Sequence, residues 1–332
     1  MNVKYMFSLV AVFLLFLLAY VGVEAAGLHV LFGIVIPYAA LIVFIIGVIN
    51  RVIGWARSPV PFRIPSTCGQ QRSLPWIKAS ELDNPFTTPG VVARMFLEVL
   101  FFRSLFRNTT SKLGEGPKIY FSLELWLWLG ALAFHWSFLT VIVRHLRLFT
   151  EPVPFWIGLL EKADGFFQVG VPGIFLSGVV LLAAVFYLFL RRVIIPQVNY
   201  VSLSQDFFPL FLIFGIAFTG ILMRHFAKID VIGAKQLTMG LVTFHPTIPQ
   251  GISGIFYVHI FFVSVLLAYF PFSKLMHMGG IFMSPTRNLP CNTRAVRHIN
   301  PWNYPVETHT YEEYEEEFRE KMIEAGLPVE KE

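Results

Sequence analysis

Apolar residues gather in six long runs, at about 7–24, 28–49, 121–143, 170–192, 207–223 and 252–273, separated by polar stretches. Each run is about 18 residues or longer with few charges, the length a helix needs at about 1.5 Å per residue to cross about 30 Å of hydrocarbon. The pattern predicts six transmembrane helices. The first run lacks a small-residue exit and passes through Glu24 and Gly27 straight into the second. It therefore reads as half of a retained hairpin, not as a cleaved leader.

Two shorter patterns lie outside the runs. From Thr88-Pro89, a favourable helix start, Val92, Met95, Phe96, Val99, Phe102 and Phe106 recur at helical spacing, with Arg94, Glu98, Arg103 and Arg107 between them. This predicts a helix along the membrane surface with the charged residues on its wet side; a buried extramembrane helix is the other reading. Near the end, Thr310-x-x-Glu313 is a capping box opening a helix that Gly326 and Pro328 close. Tyr311, Tyr314, Phe318 and Met322 make an aromatic stripe among its glutamates, suited to docking a soluble partner or to a solvated tail.

Composition agrees with the runs: 55% of the 332 residues are apolar and 14% charged, against roughly 45–50% and about 25% in soluble domains. Lysines and arginines give the orientation. With the N-terminus inside, the inner segments hold 20 of the 26 basic residues. Arg144, Arg147, Lys162, Arg224, Lys228 and Lys235 remain outside. The net charge of +5 is then a matter of topology and weakly supports nucleic-acid binding. The two cysteines, Cys68 and Cys291, stand far apart and outside any C-x-x-C motif, which argues against an iron-sulfur cluster or a covalent haem carried by this chain.

Ionisable residues at bilayer depth are costly, so each is a functional candidate. His135 and His145 lie in FHWSFLTVIVRHLRLF, and His259 and His277 in YVHIFFVSVLLAYFPFSKLMHM. The third and sixth segments run in opposite directions, so antiparallel packing brings His135 near His277 and His145 near His259. One histidine pair near each membrane face suits two haems, each iron held by two imidazoles. The spacing fits only in part. Ten residues rise about 15 Å and eighteen about 27 Å, a mismatch that a kink at Pro271 would relieve. The residues alone also admit a haem-free transporter or anchor in which the histidines bond helix to helix. His29, His225 and His245 read as interfacial polar residues of the outer side, and His298 and His309 as solvated ones.

From Leu241 to Met278 the phrases VTFH, FPFSKL and the flanking histidines resemble the last membrane helix of the respiratory nitrate reductase gamma-subunit family, and the likeness extends back to FHWSFLTVIVRH at Phe134. The additional N-terminal hairpin, the loop of about 70 residues after it and the SPTRNLPCN phrase depart from that pattern. They look like the DsrM-type cytochromes b of the DsrMKJOP complexes, the cytochrome subunits of Hdr-like menaquinol oxidoreductases in sulfate-respiring organisms.

The resemblance implies that His135 with His277 and His145 with His259 ligate two b haems. It also implies that menaquinol is oxidised near the outer face, and that electrons pass to a cytoplasmic iron-sulfur subunit similar to the heterodisulfide reductase catalytic subunit. Other membrane and periplasmic redox subunits would complete the complex. A methanophenazine-linked heterodisulfide reductase cytochrome is the nearest alternative. Lys162 stands near where the family places a quinone-site lysine, and Glu161 and Asp164 are candidate proton acceptors. Arg144, Arg147 and Arg224 outside, and Lys274 and Arg287 inside, are candidate partners for haem propionates or for lipid headgroups.

The expectation is an all-α integral protein of the cell membrane with both termini cytoplasmic. It divides into a transmembrane hairpin (1–50), a cytoplasmic loop with an interfacial helix (51–120), a four-helix di-haem b bundle (121–278) and a cytoplasmic tail (279–332).

Overall fold

The computed structural model describes residues 3–58, 70–166, 173–297 and 308–330. Cys68 and His298, singled out above, lie outside the described residues. Among the described residues, six helices are long and apolar enough to cross a membrane: Lys4–Glu24, Leu31–Arg57, Leu125–Leu148, Leu176–Ile194, Ser204–Ala227 and Gly254–Phe272. The fold is that of an all-α, multi-pass membrane protein, and the apolar side chains turned away from its core are as expected where lipid is the solvent. Phe7, Phe13, Leu14 and Leu18 of the first helix are all more than half exposed.

In chain order, helix α1 (Val3–Glu24) returns as α2 (Ile36–Arg57), which opens through a single π-helical turn at Leu31–Val35. Next come α3 (Thr88–Phe101) and the short α4 (Arg103–Phe106). An antiparallel hairpin follows, β1 (Thr109–Leu113) paired with β2 (Ile119–Leu123). The remaining transmembrane helices are α5 (Leu125–His145), α7 (Leu176–Ile194), α9 (Ser204–Ile221) and α11 (Gly254–Tyr269). Between them lie α6 (Phe155–Phe166), α8 (Pro196–Val201) and α10 (Val231–Val242). The tail carries α12 (His277–Met283), α13 (Pro285–Asn288) and α14 (Tyr311–Glu324).

Helix α11 is the hub, packing against α1, α2 and α9, while α5 packs mainly on α7. Helices α5 and α11 make only sparse backbone contact with each other, so the two histidine-bearing elements meet through side chains. Small residues let neighbours close in, as is usual between helices in lipid. At Gly47 of α2 a Cβ would lie 2.6 Å from Pro271 Cβ. Glu24, ending α1, accepts a hydrogen bond from Gly254 N at 2.7 Å and so caps α11, placing a carboxylate where a helix N-terminus favours one.

Several expectations are corrected. The run starting at 121 does not open a span: residues 119–123 form β2, and the third membrane helix begins at Leu125 and extends to include His145. The surface helix does not run on to Phe106. It stops at Phe101, because Phe102 takes the left-handed conformation (φ 51°) and turns the chain into α4. Two of α3's last carbonyls, which have no helical partner, accept instead from α5: Leu100 O from Trp136 Nε1 at 3.0 Å and Phe101 O from Trp128 Nε1 at 2.8 Å.

Arg94 is not on a wet side. It is 3% exposed, with its guanidinium donating to the carbonyls of Asp83 (3.1 Å), Leu289 (3.2 Å) and Arg287. The polar side of α3 is covered by the 283–291 segment, and apolar Val92 and Phe96 point outward. The charged face thus serves as a clamp between the long loop and the tail. Asp83 belongs to the same clamp, receiving bonds from Ser80, Arg103 and Arg107. Burial pushes its carboxyl up, but the bonds from Arg107 and Ser80 and the two guanidinium charges outweigh that and hold it below the usual carboxylate range. The capping box at Thr310 and Glu313 forms as expected and Gly326 (φ 70°) follows the end of α14.

Candidate functional site

The third membrane helix, the sixth and the short helix that follows it bring the four histidines together in the two expected pairs. The rings of His135 and His277 have centres 5.9 Å apart and lie at 83° to each other. Those of His145 and His259 are 6.3 Å apart and nearly parallel, at 14°. The mismatch in helical rise is resolved by a break where a kink at Pro271 was expected. Helix α11 ends at Tyr269, and Phe270–Phe272 and Lys274–Met276 form two 3-10 turns around an extended Ser273 (φ −116°, ψ 175°). His277 therefore starts a new helix, and its height and direction are independent of the five-turn geometry of a continuous one.

The orienting bonds follow one plan. His135 Nδ1 lies 2.7 Å from Ala131 O, His145 Nδ1 2.7 Å from Val141 O, and His277 Nδ1 2.8 Å from Lys274 O. His259 Nδ1 lies 2.9 Å from the Thr219 hydroxyl of α9. A carbonyl can only accept, so in the first three rings Nδ1 carries a proton, which leaves Nε2 as the nitrogen that could ligate a metal, its ring fixed by an outer bond. Phe102 and Phe134 lie edge-on to His135 of the first pair at 4.8 and 4.9 Å. The left-handed corner at Phe102 thus delivers a ring to the site.

Whether these pairs fit a haem can be tested on spacing. Two imidazoles ligating one ion from opposite sides, with metal–nitrogen bonds of about 2.0–2.1 Å as in zinc sites, hold their ring centres about 6 Å apart. Both pairs meet that spacing. Among the described residues no group of three or more histidine, cysteine, aspartate or glutamate side chains is placed to hold a metal. Two-ligand sites of this kind match a group that brings its other donors with it, as a porphyrin does. The sparse α5–α11 contact agrees with a group lodged between them.

Next to His145 lies a charged network on the opposite side of the bundle from the N-terminus. Arg144 pairs with Asp164 and donates to Ser177 Oγ at 3.0 Å, with its guanidinium 4.0 Å above the Phe175 ring. Asp164, 9% exposed, also accepts from Ser177 N at 2.8 Å and Ser177 Oγ at 2.6 Å. Arg147 and Arg224 share Glu161, and His225 stands edge-on to Phe175 at 5.2 Å. Arg144 Nε is buried with no partner among the described residues, which leaves a donor for an anionic group.

The remaining candidate residues are placed as follows. Asp164 accepts from Arg144 Nη1, Ser177 N and Ser177 Oγ, and Lys162 lies on the other, exposed face of the helix. Residues 155, 159, 162 and 166 form the exposed face of α6, whereas Ile157, Glu161 and Asp164 face the bundle. Lys274 bonds Asp206 Oδ1 at 2.6 Å, and Arg287 is taken by Glu98 and Ser104. Neither is a free cation beside His277. Sequence reasoning missed Thr219, Ser177 and Phe175. The first two were visible only as hydroxyls within or beside apolar runs, and Phe175 carried no signal at all.

Residues 95–297 match the family described as nitrate reductase gamma subunit. A protein of Archaeoglobus fulgidus named "Hdr-like menaquinol oxidoreductase cytochrome b-like subunit" is 44% identical over 281 residues, covering 82% of this chain and 84% of its own length. One of the same name from Archaeoglobus profundus is 39% identical over 275 residues, covering 81% of each. With its six membrane helices and these relatives, the chain belongs to the nitrate reductase gamma-subunit family, alongside the cytochrome b-like subunits of Hdr-like menaquinol oxidoreductases, and is a membrane redox subunit.

Proposed function

We propose that the chain is a di-haem cytochrome b that oxidises menaquinol near the outer face of the cell membrane and passes the electrons to a cytoplasmic iron-sulfur subunit in sulfate or sulfite respiration. The observation that carries this is the pair of two-histidine sites, one toward each face, each with ring centres about as far apart as one ligated metal requires. His145 and His259 hold the outer haem and His135 and His277 the inner one; once bound, these groups supply one-electron redox chemistry at two depths of the bilayer.

The protein's own residues do the rest. Four Nδ1 bonds fix the imidazoles, and Phe102 and Phe134 pack edge-on against His135 of the inner pair. Arg144, with its free Nε, offers the outer site a positive donor for a propionate or for the oxygen of a reduced quinone. The clamp of Arg94, Asp83 and the 283–291 segment gives the inner face a built surface, on which the iron-sulfur partner docks. The 20 basic residues of that face support a cytoplasmic location for it.

Anaerobic mixing of the purified protein with a menaquinol analogue tests the reading. Reduction of b-type haem absorbance is expected. A protein whose haem absorbance stays oxidised in excess quinol, yet is reduced by dithionite, contradicts it. Reduction by a phenazine donor in place of the quinol favours the heterodisulfide reductase alternative.

A further inference from the structure

We propose that Thr219 and Gly220 of α9 are positioning residues that fix the His259 imidazole in one tautomer and one orientation, and thereby lower the redox potential of the outer centre. The inference rests on the two-haem reading above.

Three of the four histidines take their orienting bond from a main-chain carbonyl three or four residues earlier in their own segment. Such a bond comes with the local backbone. His259 differs: its ring is held by another helix, α9, through the Thr219 hydroxyl 2.9 Å from Nδ1 and the neighbouring Ile216 carbonyl. Thr219 is 3% exposed, and the same Oγ1 lies 2.7 Å from Gly215 O and 3.1 Å from Ile216 O. A hydroxyl has one proton. Two carbonyls of its own helix compete for it, so the oxygen turns a lone pair toward His259, and Nδ1–H donates. Nε2 is then left unprotonated, as ligation requires.

Gly220 makes the approach possible. A Cβ there would lie 3.2 Å from His259 Cε1, close enough that the ring would have to shift or rotate. The next position on α9 thus removes the bulk that would spoil the bond Thr219 offers. An acceptor on the outer N–H raises the electron donation of a metal-bound imidazole, which favours ferric over ferrous iron and lowers the midpoint potential. Because the acceptor belongs to α9 and not to α11, the potential of this centre responds to how the two helices sit. The inner centre has no such dependence.

The test uses the full chain with its haems, titrated potentiometrically and examined by low-temperature EPR. Thr219→Val keeps the shape and removes the acceptor. It is expected to shift one midpoint upward and leave the other in place, and Thr219→Ser is expected to restore the original value. Gly220→Ala is expected to change the low-spin EPR signal of that same centre. Loss of one haem in Thr219→Val that Thr219→Ser recovers also supports the assignment. Unchanged midpoints and EPR in both Thr219→Val and Gly220→Ala would overturn it, as would movement of both centres together. If the unaltered protein lacks two b haems, the underlying reading itself fails, and the haem count shows this separately.

Discussion

Arg94 shows what one side chain decides at the inner face. Its guanidinium satisfies carbonyls of Asp83, Arg287 and Leu289, drawn from two segments about 200 residues apart in the chain. Each buried acceptor left without a donor costs about 1–3 kcal/mol. Arg94→Ala is therefore expected to free the 283–291 segment, seen as faster protease cleavage there, while the haem spectrum stays unchanged. Asp83 in the same clamp has its carboxyl held below the usual range. Its contribution is fully present above the unfolded value of about 3.9 and is lost as pH falls through the lower folded value. Asp83→Asn is expected to abolish that acid-dependent loosening, followed by the same cleavage assay across pH. At this scale the histidines were legible because an ionisable group in an apolar run announces its cost. Arg94 was misread because periodicity tells which residues share a face, and not whether water or protein covers it.

Elements explain how unequal spacings become level pairs. A continuous sixth helix would have tied His277 to His259, and the break after Tyr269 releases it. Pro271 in the sequence marked the place, but the extended Ser273 that turns a kink into a break had no signature. Helix α2 supports the break from outside, since Gly47 faces the Pro271 ring at contact distance. Gly47→Val overfills that contact, and such overpacking costs about 1–3 kcal/mol. A lowered thermal midpoint is expected, with preferential disturbance of the His135–His277 centre in its optical spectrum. Likewise the apolar run at 121–143 blended β2 with α5, because an apolar strand and a helix start look alike by hydropathy alone.

For the whole molecule, hydropathy gave six crossings and charge bias gave a direction, and the resemblance to a known family assigned chemistry that neither could supply. The direction is testable. Reporter fusions after Met283 are expected to report a cytoplasmic location and fusions in the 149–154 turn a location outside, and the reverse result would invert the proposed flow. The pairing of the histidines is the central claim, and counting haem tests it most directly. A pyridine haemochrome assay on purified chain should give two b haems for the unaltered protein and one each for His145→Ala and His277→Ala. Fewer than two in the unaltered protein, or two retained in either variant, would contradict the account.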